Sequence, residues 1–200
     1  MLDESDLAAD PVDQFASWLA EAGERQVYEP NAMVLATIDP DGAPSIRTVL
    51  LRAVDARGFA FYTDYSSRKG RALFANPAVA AVFPWYTLHR QVKIFGEAHP
   101  VDAADSDAYF AARPRGAQIA AWASDQSQPI SSRAALEQKV LDAAAQFSAS
   151  DDVARPERWG GFRLVPHRVE FWQGRTSRLH DRLIYEREAD SPWRVERLQP

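Results

Sequence analysis

The 200-residue chain contains no cysteine. That absence excludes disulfides, thiolate nucleophiles and cysteine-ligated metals, and it fits a cytoplasmic location. No apolar run approaches the roughly 20 residues that a helix needs to span a bilayer. The first ten residues, MLDESDLAAD, are acidic and lack a basic segment followed by an apolar core, so no signal peptide is expected. Common catalytic signatures are missing too: there is no glycine-rich phosphate loop, no His-Glu-x-x-His and no Gly-x-Ser-x-Gly. His89, His99 and His167 lie in unrelated contexts and read as surface or turn residues, so no metal site is expected. The formal net charge of −5 removes any global attraction to nucleic acid or acidic membranes. An anion site, if there is one, must be a local cluster of cations.

What is present reads as one α+β domain over residues 11–200 behind an acidic, flexible leader of ten residues. Asp10-Pro11 is a cap and first-turn pair, and Phe15, Trp18, Leu19 and Ala22 recur at helical spacing through residues 11–28. Two β-rich runs, AMVLATID and APSIRTVLLRAVD, flank Pro40-Asp41-Gly42 and predict a hairpin. A turn at Asp55–Gly58 leads into FAFYTD. A short helix follows, capped by Ser66 or Ser67 and ended by Asn76-Pro77, and then AVAAVFPW and RQVKIFGEAHPV give two more strands. Five strands with short turns argue for an antiparallel barrel rather than βαβ units. Three helical stretches come next, the third capped by Ser131 or Ser132. Three closing strands are expected in GGFRLVPHRVEFWQG, RLHDRLIYERE and WRVERLQP.

Basic residues carry most of the functional signal. If the segment from Arg178 is extended, Arg178, His180 and Arg182 share one side at about 7 Å spacing, a row that needs something anionic or π-rich over it. Arg68 and Lys69 fall in the first turn of a helix, where free N–H groups and the dipole already favour an anion. Arg47 and Arg52 interrupt an apolar strand. Strict alternation sends them to opposite faces, so a shared site needs a bulge or a second subunit. Gln91 offers an amide to a heterocycle edge. Tyr109 and Arg113 are four apart and share one helical face if the helix persists that far, Gln126 and Ser127 are small donors in a loop, and Trp172 is a large flat ring. Each feature alone has an ordinary structural explanation. Together they suit a protein that holds two phosphorylated rings.

Seven stretches, in order, resemble the pyridoxine/pyridoxamine 5′-phosphate oxidases: PNAMVLATID, RTVLLR, FYTDYSSRKG, NPAVAAVFPWYTLHRQVKIFG, YFAARPRGAQIAAWASDQS, WGGFRL and VEFWQGRTSRLHDR. The resemblance covers nearly the whole chain. It implies a flavin mononucleotide (FMN) split barrel, a homodimer with FMN at the subunit interface, and oxidation of pyridoxamine or pyridoxine 5′-phosphate by dioxygen. FMN contacts carried over by the motifs fall on Arg47, Thr48, Val49, Leu50, Leu51, Arg52, Tyr62, Thr63, Arg68, Lys69, Gln91, Gln126, Ser127, Trp172 and Arg182. Substrate contacts fall on Arg52, Tyr109, Arg113, Arg178 and His180, with Arg178 and His180 the catalytic pair. The chain departs from the pattern at three places. Arg52 stands where many relatives have lysine, which alters contact geometry. Ala117 replaces a serine that contacts substrate phosphate in some relatives, a loss of about 1 kcal/mol. The leader is acidic where some relatives carry a longer basic arm. Flavin oxidases of phenazine biosynthesis share a similar RLH segment. A phosphate-free tricycle has no use for Arg113, which favours the vitamin B6 reading. A non-catalytic flavin or pyridoxal-phosphate carrier is the remaining alternative.

Overall fold

Asp10 opens the first helix because its carboxylate accepts from the Val12 N–H at 2.7 Å, and Pro11 needs no donor partner at that position. This helix, α1 (Pro11–Glu24), turns Phe15 and Trp18 into the barrel. Phe15 packs edge-on to Phe59 (centroids 5.0 Å) and beside Phe83 (4.7 Å), and Trp18 packs edge-on to Phe171 (5.1 Å). Burying side chains of this size stabilises the fold by about 1.5–3 kcal/mol each, so α1 acts as a plug, not an ornament. The computed structural model describes residues 2–188 and 191–200.

The strands are β1 (Ala32–Ile38), β2 (Pro44–Leu50), β3 (Ala53–Asp55), β4 (Gly58–Asp64), β5 (Ala78–Trp85), β6 (Arg90–Pro100), β7 (Trp159–Gln173), β8 (Asp181–Glu186) and β9 (Arg194–Arg197). They form one antiparallel sheet in the order β2-β1-β5-β6-β7-β4-β3, with β8 on β7 and β9 on β8. Strand β7 is where the barrel splits. Its first part, to Leu164, pairs with β4, and from Arg168 onward it pairs with β8, while β6 lines its other edge throughout. A bulge at Phe95/Gly96 accommodates the change of direction. A Cβ on Gly96 would lie 2.1 Å from the Val165 carbonyl oxygen, so only glycine permits that approach.

Between β4 and β5 lies α2 (Arg68–Ala75). Between β6 and β7 come α3 (Ala103–Ala111), α4 (Arg115–Ala123) and α5 (Arg133–Gln146). These last three build a smaller core of Phe110, Ile119, Ala143 and Val153 that closes on Trp159. Ser67 and Ser132 are the caps actually used, accepting from the Gly70 and Ala135 N–H groups. The fold is therefore the α+β, antiparallel split barrel expected.

Two local expectations change. Strand β8 begins at Asp181, not at Arg178, because its register on β7 starts with Gln173 opposite Asp181 and residues 174–180 are spent reversing the chain. A 3-10 turn occupies Thr176–Arg178, with Ser177 (φ 56°) and Arg178 (φ 62°) in the left-handed region. The single basic ribbon of Arg178, His180 and Arg182 consequently does not form. Residues 2–8, set apart in the sequence as a flexible leader, are seated on the barrel. Leu2 is 5% exposed within the main core, and the Ala8 carbonyl accepts from Tyr185 Oη at 2.7 Å.

Candidate functional site

Strand β2 stops at Leu50, and the chain bends through Leu51 and Arg52 before β3 begins. That bend resolves the alternation problem, because Arg47 and Arg52 line the same cleft, of about 530 Å³, together with Thr48, Val49 and Leu50. Opposite them β4 contributes Tyr62, Thr63 and Asp64, α2 contributes Lys69, and the helical layer contributes Tyr109, Arg113, Ala120, Ala121, Ser124 and Gln126. Trp159, from the start of β7, completes the wall.

The start of α2 is tightly built. Ser67 Oγ donates to the Asp64 carbonyl (2.6 Å) and accepts from the Gly70 N–H (3.2 Å). A Cβ on Gly70 would meet the Tyr65 carbonyl oxygen at 2.2 Å, so the helix lies hard against the preceding turn. This geometry drives Lys69 inward. Its Nζ donates to Thr63 Oγ1 (3.0 Å) and Gln126 Oε1 (3.3 Å), and Gln126 Oε1 also accepts from Thr63 Oγ1 (2.9 Å). Burial pushes the Lys69 ammonium down from its ordinary range, and the Arg47 charge adds to that. Arg47 is lowered by burial as well; it donates to Thr37 Oγ1 and Ser45 Oγ, both at 2.7 Å.

At the other end the rings are layered. Tyr62 stacks on Tyr109 (centroids 3.9 Å, planes 16° apart), and both lie nearly parallel to Trp159. The Arg113 guanidinium sits 4.5 Å above the Trp159 ring, burial lowers its pKa, and its Nη1 is buried without a hydrogen-bond partner among the described residues. Four cations thus face one carboxylate, Asp64, and that carboxylate is engaged by Arg158 at 2.9 Å and by Ser66. Such a cleft is incomplete without anionic oxygens. The donor set fits a phosphorylated planar group: cations and hydroxyls at one end, stacked rings and an open guanidinium N–H at the other.

Not every expected residue enters this cleft. Leu51 points into the barrel core, and its backbone N–H donates to the Asn31 carbonyl at 2.8 Å. Arg68 turns outward to Asp39 (Nε–Oδ2 2.7 Å) in a neighbouring depression. Ser127 is exposed with φ 70°. Gln91, Trp172 and Arg182 form a second group: Gln91 and Trp172 are register partners, as are Trp172 and Arg182. Gln91 and Trp172 line a separate hollow of about 300 Å³ with Pro84, Tyr86, His89 and Arg90. The Arg182 Nε is bonded to Glu170 Oε1 at 2.8 Å. His180 leans on Trp172 (centroids 4.6 Å), and Arg178 is exposed in the turn before it. Sequence reasoning missed Trp159 and Glu170. An aromatic and a lone carboxylate inside a strand carry no signal that separates a site wall from core.

Residues 19–147 match the family model described as pyridoxamine 5′-phosphate oxidase, and residues 159–200 match the pyridoxine 5′-phosphate oxidase C-terminal dimerisation region. The chain is 55% identical over 197 residues to a pyridoxine/pyridoxamine 5′-phosphate oxidase of Bordetella avium, covering 98% of this chain and 92% of that one. It is 50% identical over 204 residues to the same-named protein of Thermobifida fusca, covering 100% and 92%. Among solved structures, PhzG from Burkholderia lata, in complex with tetrahydrophenazine-1-carboxylic acid, superposes with a TM-score of 0.92 at 34% identity, covering 100% and 98% of the two chains.

Proposed function

The chain belongs to the pyridoxamine 5′-phosphate oxidase family, and from that premise we propose that it oxidises pyridoxamine or pyridoxine 5′-phosphate to pyridoxal 5′-phosphate. The acceptor is FMN, dioxygen is the final oxidant, and with the amine substrate water supplies the aldehyde oxygen as ammonia leaves. The observation that carries this reading is Arg113: a guanidinium held on an aromatic wall with a buried, unpartnered Nη1, in a cleft with three other cations. One phosphate would satisfy the Arg47–Lys69 end and a second the Arg113 end. A flavin without a phosphorylated substrate accounts for only one of them.

In this reading FMN supplies, when bound, a two-electron acceptor that dioxygen reoxidises with release of hydrogen peroxide. The chain's own residues bind and orient. Lys69, Arg47 and Thr63 hold the FMN phosphate with Gln126 beside them, and Thr48, Val49, Leu50 and Tyr62 line the rest of the cofactor, while Leu51, Arg68 and Ser127 lie outside the cleft. Trp172 and Arg182, within the dimerisation region, and Gln91 beside Trp172 on β6 reach the flavin from a second copy, so that in this reading the site lies at the subunit interface. Tyr109, Arg113 and Arg52 hold the substrate phosphate. Arg178 fixes the substrate ring, an orientation effect that carries several kcal/mol of barrier. His180 hydrogen-bonds a ring substituent or moves a proton there.

A second reading is oxidation of a reduced phenazine, favoured by the likeness to PhzG over the full length of both chains. Oxygen consumption with pyridoxamine 5′-phosphate, pyridoxine 5′-phosphate and a dihydrophenazine, each with and without added FMN, separates the two. Turnover with either B6 phosphate, dependent on FMN, is the expected result. Turnover with the dihydrophenazine alone would replace the reading, and a yellow protein inert to all three would make it a carrier.

A further inference from the structure

The turn 174–180 carries Arg178 and His180 under backbone strain. Ser177 and Arg178 both lie at positive φ, a region that residues with a Cβ disfavour. Few bonds inside the turn hold it. The Leu179 N–H donates to the Thr176 carbonyl (3.2 Å), the His180 N–H to the Arg178 carbonyl (2.9 Å), and the Arg175 N–H to His180 Nδ1 (3.1 Å). The anchor lies just outside, at Asp181. Its Oδ2 accepts from the Leu2 N–H (3.1 Å) and is 3.6 Å from Arg175 Nε, and its Oδ1 accepts from Arg197 Nη1 (3.2 Å). Arg197 in turn grips Glu4 (2.6 Å) and the Leu2 carbonyl (3.1 Å). One carboxylate, 15% exposed, joins the leader, the last strand and the strained turn.

We propose that Asp181 is a positioning residue: by holding Arg175 it keeps the Arg175 N–H on His180 Nδ1, which fixes the imidazole in a single tautomer against Trp172. A neutral imidazole whose Nδ1 accepts carries its hydrogen on Nε2. His180 is then a donor through Nε2, and Asp181 sets that role without touching the substrate. The inference deepens the proposed function, because it rests on His180 and Arg178 facing the substrate.

The test uses the FMN-loaded protein, uniformly ¹⁵N-labelled, with imidazole ¹H–¹⁵N correlations assigned through His180→Gln. Wild type should show His180 as the Nε2–H tautomer alone. Asp181→Asn should mix the tautomers and lower kcat on pyridoxamine 5′-phosphate by on the order of ten- to a hundredfold with KM little changed, the pattern of lost orientation. Asp181→Glu should restore most of both. Arg175→Met cuts the same link from the exposed side and should mix the tautomers even if Asp181→Asn fails to fold. A single, unchanged tautomer in the folded variants overturns the inference. If the wild type turns over no B6 phosphate yet the tautomer responds, the anchor stands and the proposed reaction falls.

Discussion

In the cleft, Arg47, Lys69 and Arg113 have no carboxylate within ion-pair distance among the described residues, and burial pushes each down from its ordinary pKa. On the β7–β8 face, Arg182 is held by Glu170 at 2.8 Å and shifts the opposite way, raised by that hydrogen bond. Lys93 Nζ lies 3.3 Å from the same carboxylate. One region stores unpaired positive charge at the cost of desolvation, and the other ties its two cations to one shared carboxylate. The first arrangement suits binding a multiply charged anion. The second suits presenting flat surface, Trp172 with His180 against it, to a neutral ring. That Glu170, Trp172, His180 and Arg182 of this region fall within residues 159–200, which match the dimerisation region, agrees with its being a face to be covered.

The sharpest way to break this comparison is a crossed pair of substitutions. Lys69→Ala removes a buried charge-assisted donor from the cleft, which should weaken FMN by about 2–4 kcal/mol, or about 30- to 1000-fold in Kd. Flavin fluorescence titration of the apoprotein reads this directly. Arg178→Ala and His180→Ala, on the other face, should keep FMN within a few-fold of wild type and lose most turnover. If Lys69→Ala bound FMN normally, or if the turn variants released it, the division of labour between the regions would be wrong.

A smaller effect sharpens the cleft itself. Arg113→Ala should raise KM for the B6 phosphates by roughly 10- to 100-fold, the worth of a charged hydrogen bond of about 1.5–3 kcal/mol. FMN affinity should stay unchanged, and so should turnover of unphosphorylated pyridoxamine. Equal losses with and without the substrate phosphate would mean that Arg113 serves the aromatic wall alone.

Much of this molecule is written locally. Asp10, Ser67 and Ser132 cap helices because their side chains reach an N–H two or three residues on, and Met33 and Leu35 alternate inward as strand period demands. The cleft residues are legible through three dense motifs, RTVLLR, FYTDYSSRKG and YFAARPRGAQIAAWASDQS. What spacing could not convey was long-range closure. Arg47 and Arg52 share a cleft only because β2 ends between them. Arg178 and Arg182 part company only because the register on β7 consumes seven residues in the turn. Arg68 and Lys69 are adjacent in sequence, yet a Cβ-free Gly70 packed on Tyr65 turns one inward and leaves the other to Asp39. Leu2 belongs to the core for a reason no local pattern holds: its backbone is received by Asp181 and Arg197, 179 and 195 residues away.

The smallest expected effect tests the face whose cations share Glu170. Burial alone would push the Glu170 carboxyl up, but Arg182 and Lys93 together outweigh it and hold it below its ordinary 4.5. A carboxyl depressed by folding contributes stability in full above its unfolded value and loses it as pH falls through the folded one. Glu170→Gln leaves Arg182 and Lys93 without their counter-charge. Both can still reach water, so the cost near pH 7 should be modest, about 1–2 kcal/mol. The gap between wild type and variant, measured by urea unfolding, should hold from pH 7 to about 5 and shrink below 4.5 as the wild-type carboxyl takes up its proton. FMN affinity should fall only a few-fold, because Arg182 keeps its place opposite Trp172 in the strand register. A gap that stayed constant into acid would mean that Glu170 contributes by shape and not by charge, and the contrast between the two regions would lose its electrostatic basis.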